Sequence, residues 1–285
     1  MIDPACEIRT WMEALELGRA CDAVGCFWYE DPLRDCATSI EAHRRRQGRS
    51  AGVIPWALNE PWPNAIGASA VEWSLRPKPA YWAVRRAYRP LHVSARFPSF
   101  VWAGEREFAA EVWLHNAGDA VPLLNVVATL HTLDGRIPVQ ENLACEAPAG
   151  TSECVGDIVW RLSGPGGLAA PFLLDLEVID EEGEVVARNA YPFSAAPDPA
   201  FAGFLAAPAT ELALERTPAG MRLRNAGSAP ALWVEIAAAE GDPVDPGDNH
   251  FPLPPGGERE IALRPPAAPV IVSAWNAPPV RLDGA

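Results

Sequence analysis

The chain has 285 residues, an apolar content of 49% and a formal net charge of −14. That length allows about two domains at roughly 100–200 residues each, and that apolar content suffices to bury cores. A surface this negative would repel a phosphate backbone, so no nucleic-acid partner is expected; no apolar run reaches the roughly 20 residues of a membrane span, so no membrane partner is expected either.

The first ninety residues read as helical with one strand. The N-terminus shows no basic segment followed by an apolar one, so no signal peptide is expected. Ile8, Met12 and Leu15 recur at helical spacing. Asp31-Pro32 is a helix start, a capping carboxylate followed by a proline where no amide donor is needed. The helix it opens carries Leu33, Cys36, Ala37 and Ile40 on one face and runs out at Gly48. Residues 51–58 form a short apolar run that suits a buried strand, ending in a loop, Asn59-Glu60-Pro61-Trp62-Pro63-Asn64, stiffened by two prolines. A further helix starts near Pro79, places Tyr81, Val84 and Tyr88 on one face, and stops before Pro90. The arginines at 44–46 and at 85, 86 and 89 are expected on solvated helix faces.

From about residue 92 the apolar period becomes two. Phe108, Ala110, Val112 and Leu114 alternate with polar residues, as do Leu124, Val126, Ala128 and Leu130 before the turn Asp134-Gly135. Ile158, Trp160 and Leu162 follow, then Phe172, Leu174, Leu176 and Val178 before Glu182-Gly183. Short alternating strands separated by turn signals predict a β-sandwich. Residues 194–209, rich in alanine and proline, read as a linker. Alternation resumes at Leu212 and Leu214, with a turn at Thr217-Pro218-Ala219-Gly220 before Met221 and Leu223. Leu232, Val234 and Ile236, then Ile261 and Leu263, then Val270 and Val272 complete a second, smaller sandwich. Asn116-Ala117-Gly118 and Asn225-Ala226-Gly227 each follow a strand, a weak repeat that two sandwiches of one class would give.

The six cysteines form no C-x-x-C pair, and no histidines lie at metal-ligand spacing near them. No metal site and no cofactor are expected, and a reducing, cytoplasmic setting is favoured. Cys145 and Cys154 could meet across a hairpin or remain buried thiols. Asp242, Asp245 and Asp248 form an acidic loop that reads as a solvated turn rather than a Ca²⁺ site. Glu30 reads as the residue before a helix cap. Trp113, Trp160, Trp233 and Trp275 lie in strand patterns and read as sandwich core.

The cluster that could carry chemistry is Trp56, Asn59, Glu60 and Trp62. Sugars present apolar C–H faces and a rim of hydroxyls, which call for indole platforms beside fixed carboxylates and amides. In a (β/α)8 barrel, a loop after a buried strand lies on the catalytic face. The alternative is a tryptophan-rich core edge with Glu60 solvated.

The stretch from Arg44 through Pro90 resembles the end of the barrel in glycoside hydrolase family 2, especially its β-mannosidase-like members. The pieces appear in the family's order: Arg44-Arg45-Arg46, then Trp56-Ala57-Leu58-Asn59-Glu60-Pro61-Trp62-Pro63, then Pro77-Lys78-Pro79, then the aromatic and basic helix from Tyr81 to Pro90. Glu60 stands where the family usually has aspartate. The segment from Asp248 to Glu258 is similar to part of the family's terminal immunoglobulin-like domain. The resemblance implies a mainly β chain: a barrel remnant over residues 1–91, an immunoglobulin-like β-sandwich over 92–197, and a smaller one over 206–282. It implies that Trp56 is a sugar platform and that Asn59, Glu60 and Trp62 bind substrate beside it.

Retaining glycosidases use two carboxylates about 5–5.5 Å apart. The family draws them from the fourth and seventh barrel strands, which would precede residue 1, so this chain is expected to lack the catalytic pair. Asn59-Glu60-Pro61 also matches the sequence that carries the general acid on the fourth strand of related barrels, which would make Glu60 catalytic. Too little chain follows it to complete strands five to eight. The expected partner is a β-linked sugar, and the barrel residues are expected to pack on the first sandwich, on the upstream barrel region or on a second copy of the chain. The alternative function is a non-catalytic sandwich protein that binds carbohydrate or protein.

Overall fold

The computed structural model describes residues 36–50, 52–54, 57–62, 69–162, 168–197, 199–240 and 243–284. The fold is mainly β, built from antiparallel sheets in two sandwiches, with helices at the N-terminal side of the described chain. No helix among the described residues is long and apolar enough to cross a membrane. The described residues fall into two units: those up to Leu130 with Pro138–Ala202, and His131–Ile137 with Gly203 onward.

The first unit opens with helix α1 (Cys36–Arg44) and helix α2 (Pro79–Ala87). Pro79 fits the start of α2 because its missing N–H would have no intrahelical partner there. Seven strands follow: β1 (Leu91–Arg96), β2 (Glu107–Asn116), β3 (Val121–Thr132), β4 (Val139–Ala147), β5 (Thr151–Arg161), β6 (Pro171–Ile179) and β7 (Val185–Ser194). They form one sheet in the order β1-β2-β5 and another in the order β4-β3-β6-β7. Alternation in β2 puts Phe108, Ala110, Val112 and Leu114 inward, where they meet Leu124, Val126, Ala128 and Leu130 of β3 in one core. Rings bridge the sheets: Phe108 and Phe172 lie 5.2 Å apart edge to face, and Trp160 packs on Phe172 at 5.4 Å. Each fully buried phenylalanine contributes about 1.5–3 kcal/mol by leaving water.

Arg46 is exposed, but Arg44 and Arg45 are half-buried rather than on the solvated face their composition suggests. Arg44 donates to the carbonyls of Ala87, Arg89 and Pro90, which close the C-terminal end of α2. A guanidinium suits those carbonyls by charge and by its fork of donors. Arg45 donates to Ser94 Oγ and the Ala95 carbonyl on β1. Between these two arginines and the sheet lies a buried polar cluster. Glu41 of α1 accepts from His92 Nε2 at 2.9 Å, from Asn189 Nδ2 at 2.8 Å and from the Tyr191 hydroxyl at 2.8 Å. His115 stacks on His92 at 5.9 Å and bonds Ser94 and Ser152 through its two ring nitrogens.

The described residues of the apolar run at 51–58, which are 52–54, 57 and 58, do not form the expected buried strand. Among the described residues, 52–54 have no ladder partner, and Ile54 is 94% exposed. A barrel strand needs neighbours on both edges and helices on its face. Among the described residues the ladder contacts nearby are isolated bridges, Asn59 with Val71, Val71 with Pro77 and Gln47 with Ser50.

Residues 194–209 include a short 3-10 turn, Ala202–Ala206. The second unit carries β8 (Leu212–Thr217), β9 (Gly220–Asn225), β10 (Ala231–Ala238), β11 (Phe251–Leu253), β12 (Glu258–Ala262), β13 (Val270–Ala274) and β14 (Ala277–Leu282). The sheets run β12-β9-β8 and β11-β10-β13-β14 around a core of Met221, Leu223, Val234, Ile236, Phe251, Ile261, Val270 and Val272. The β8–β9 turn falls where the sequence predicts it. It requires Gly220, whose φ is +153° and whose Cβ, if present, would lie 2.4 Å from the Ile261 carbonyl oxygen.

The repeat in the sequence has a structural counterpart in each sandwich. Asn116 donates to the Asp119 and Ala147 carbonyls and accepts from Gly118 N–H. Asn225 donates to the Ala229 and Leu253 carbonyls and accepts from Gly227 N–H. In both, a buried amide closes the turn after a strand and ties it to a later segment.

Candidate functional site

Residues 57–62 and 69–78 form three adjoining lengths of chain. Ala70 N–H and Val71 N–H donate to the carbonyls of Ala57 and Leu58, and Glu60 N–H donates to Val71 O. Lys78 N–H donates to Ala70 O on the other side, and a turn through Leu75, at φ +67°, joins the last two lengths. The two flanking prolines restrict the backbone at Lys78, which caps α2 without using its side chain for the cap.

The Lys78 side chain goes instead to Glu60. Its ammonium pairs with Glu60 Oε1, and Ser69 Oγ lies 3.0 Å from the same oxygen. Glu60 is only 7% exposed, whereas its neighbours Asn59 and Trp62 are exposed, Trp62 at 64%. The Lys78 ammonium beside Glu60 holds its carboxyl below the usual carboxylate range, against the opposing effect of burial. A general acid must carry its proton near neutral pH, so this shift runs the wrong way for the catalytic reading of Glu60. Glu72, the nearest acidic influence on Glu60, is itself engaged by Arg76 at 2.8 Å and Ser74 at 3.0 Å.

Asn59, Glu60 and Trp62 are therefore adjacent, with a buried anion between an exposed amide and an exposed indole. Trp56 lies outside the described residues, as does Glu30. Lys78 and Ser69 complete the polar cluster. Sequence reasoning did not assign either a role, although the Pro-Lys-Pro setting marks a lysine with a restrained backbone. Large apolar side chains are also exposed around the loop: Ile54, Leu58, Trp73 and Leu75.

The other candidates resolve as structure. Asp245 pairs with Arg264 at 3.7 Å and Asp248 with Arg259 at 3.4 Å, while Asp242 is outside the described residues. Among the described residues no group of His, Cys, Asp and Glu could hold a metal ion. Trp160 and Trp233 are buried, and Trp275 packs on Trp233 at 4.7 Å. Trp113 is half-buried and donates to Glu111. Cys145 and Cys154 are free thiols on strands of different sheets.

No family model matches the chain. β-Mannosidase B of Aspergillus flavus is 28% identical over 149 residues, which cover 48% of this chain and 17% of that protein. β-Mannosidase B of Aspergillus niger is 42% identical over 52 residues, 18% of this chain and 6% of that protein. Among solved structures, the exo-chitosanase of Amycolatopsis orientalis superposes with a TM-score of 0.67 at 19% identity, covering 92% of this chain and 36% of that one. The β-D-mannosidase of Dictyoglomus thermophilum superposes with a TM-score of 0.66 at 16% identity, covering 90% of this chain and 31% of that one. The chain thus spans about a third of the length of the structures whose fold it shares, and its matched segment under a fifth of the fungal proteins.

Proposed function

We propose that this family 2 β-mannosidase-like chain serves the hydrolysis of β-glycosidic bonds by supplying one wall of a sugar subsite and two scaffold sandwiches. Its partner in that reaction is a barrel region that carries the acid/base and nucleophile carboxylates, and the chain alone is inactive. The domain division at 1–91, 92–197 and 206–282 goes with this reading. Trp56 would stack on the apolar face of the sugar, and Asn59, Glu60 and Trp62 would meet its hydroxyl rim and edge.

The observation that carries the proposal is Glu60, a buried carboxylate kept ionised by Lys78 and flanked by an exposed amide and indole. An ionised carboxylate accepts hydrogen bonds from sugar hydroxyls and does not protonate a leaving group. The apolar side chains exposed at Ile54, Leu58, Trp73 and Leu75 support a covering polypeptide.

The test is release of chromophore from aryl β-mannoside and aryl β-glucoside, by the chain alone and mixed with a β-mannosidase barrel region. Hydrolysis by the mixture only is expected. Robust hydrolysis by the chain alone would overturn the assignment of the carboxylate pair to another region.

A further inference from the structure

We propose that Lys78 is a positioning residue for the sugar subsite: by occupying Glu60 Oε1 it orients the carboxylate so that Oε2 accepts a hydrogen bond from a sugar hydroxyl. The inference rests on the sugar-subsite reading above and adds a residue and an atom to it.

Three observations support it. Both side-chain donors recorded on Glu60 among the described residues, Lys78 Nζ and Ser69 Oγ, converge on Oε1. No described donor is recorded on Oε2 of this nine-tenths buried side chain. The lysine is held from three sides: by Pro77 and Pro79 in sequence, by its N–H bond to Ala70 O, and by its place at the start of α2. A carboxylate fixed through one oxygen has little freedom to turn, so the lone pairs of the other point one way. That is what recognition of a hydroxyl requires. A buried ion pair is by itself weak evidence for a stabilising role, since desolvation offsets most of the attraction. Preorganisation accounts for retaining a lysine where a smaller neutral donor could satisfy one oxygen.

The charged groups that act on Glu60 are Lys78, which favours its ionised form, and Glu72, which opposes it while engaged with Arg76. Removing the lysine leaves burial and Glu72 to push the carboxyl upward. Binding then depends on pH in a range where the native chain is indifferent.

The test is a titration of the full chain with methyl β-D-mannopyranoside and methyl β-D-glucopyranoside, followed by ligand-observed NMR from pH 4 to pH 8. The variants are Lys78→Met, Lys78→Arg and Glu60→Gln, each with a thermal melt. Lys78→Met should weaken binding at pH 7 about tenfold and move the acid limb of the binding profile upward by at least about one pH unit. Lys78→Arg should restore the profile and Glu60→Gln should abolish it. Native binding with an unchanged profile in a folded Lys78→Met variant would overturn the role of Lys78 and leave the subsite standing. Absence of sugar binding by the native chain, together with no gain in binding when it is added to a β-mannosidase barrel region, would remove the subsite, and the proposed function with it. If Lys78→Met does not fold, the native Glu60 carboxyl is titrated directly by NMR, and an ordinary glutamate value there overturns the inference.

Discussion

Glu41 and His92, each 1% exposed, meet at 2.9 Å between helix α1 and strand β1. Burial drives His92 below its ordinary value, and burial with the neighbouring His92, Arg44 and Arg45 drives His115 from 6.5 down to about 2. Both imidazoles are therefore neutral in the native state. Ser94, which accepts from Arg45, can donate its hydroxyl to His115 Nε2, leaving Nδ1–H for Ser152.

The sign of the pH dependence follows. The unfolded chain binds protons at these histidines below about pH 6.5, and the native chain binds them only at lower pH. The stability they confer is complete above pH 6.5 and is lost as pH falls from there, for His115 toward about 2. Urea midpoints measured from pH 8 to pH 5 should fall with pH, and His115→Asn should reduce that slope by up to about one proton. A slope unaltered by the substitution would contradict the assignment. Tyr191 acts at the other end: burial and Glu41 raise its phenol, so stability should decline as pH rises through about 10.

The same cluster predicts a large effect at Glu41. Its carboxylate is the common acceptor for His92, Tyr191 and the half-buried Asn189, and Glu41→Leu leaves the two buried donors, His92 and Tyr191, without it, while Asn189 keeps the Val93 carbonyl. Leaving a buried neutral donor without its acceptor costs about 1–3 kcal/mol. Chemical denaturation of the first unit, followed by the fluorescence of its tryptophans, should show a loss of that order. A loss below about 1 kcal/mol would mean that water replaces the carboxylate.

The sandwiches were readable because their inward faces alternate cleanly: Phe108 through Leu114 and Phe172 through Val178 carry the period unaided. Strand β4 was not, because its sequence, VQENLACEA, has a mainly solvated face and few apolar residues. The Glu41 cluster was illegible for a different reason. Its partners lie 51, 148 and 150 residues away, so a glutamate on a helix face gives no local sign of burial. The loop at 57–62 could be located by resemblance, but the Glu60–Lys78 pairing spans 18 residues and depends on the chain folding back through Val71. The described part of the run at 51–58 is not a buried strand, because an apolar run specifies burial only when something covers it.

The matched asparagines give a paired prediction. Asn116→Ala leaves the buried Ala147 carbonyl without its amide partner, and Asn225→Ala leaves the buried Ala229 and Leu253 carbonyls without theirs. An unsatisfied buried group costs about 1–3 kcal/mol. Each substitution should lower the unfolding midpoint of its own sandwich, resolved by hydrogen exchange in β3 and β6 for the first and in β10 and β13 for the second. Equal loss of protection in both sandwiches from either change would contradict the independent roles assigned to them.

The two described free thiols should differ in reactivity. Cys154 is exposed on β5, whereas Cys145 is half-buried on β4, where burial raises its thiol above the ordinary value. The thiolate is the reacting species, so Cys145 should alkylate more slowly. Peptide mapping after timed iodoacetamide treatment of the native chain should find Cys154 modified first. The reverse order would contradict the burial assigned to β4.

Trp82 and Trp62 separate stability from binding. Trp82 is 3% exposed, packs edge to face on Tyr81 at 5.2 Å, and lies under the Arg85 guanidinium at 5.2 Å. Its indole N–H has no recorded hydrogen-bond partner, so its contribution is packing rather than polar contact. Trp82→Ala should cost about 3–5 kcal/mol, and Trp82→Phe much less, because the phenyl ring fills most of the space without a buried N–H. Trp62 presents its ring to solvent, so Trp62→Ala should change stability by no more than about 0.5 kcal/mol. The same Trp62→Ala variant should lose affinity for methyl β-D-mannopyranoside, because the proposed subsite uses the exposed indole as an apolar surface. Denaturation and sugar titration on the two alanine variants should thus respond in opposite order. A destabilised Trp62→Ala with unchanged sugar affinity would place that indole in the core of the protein and out of the subsite.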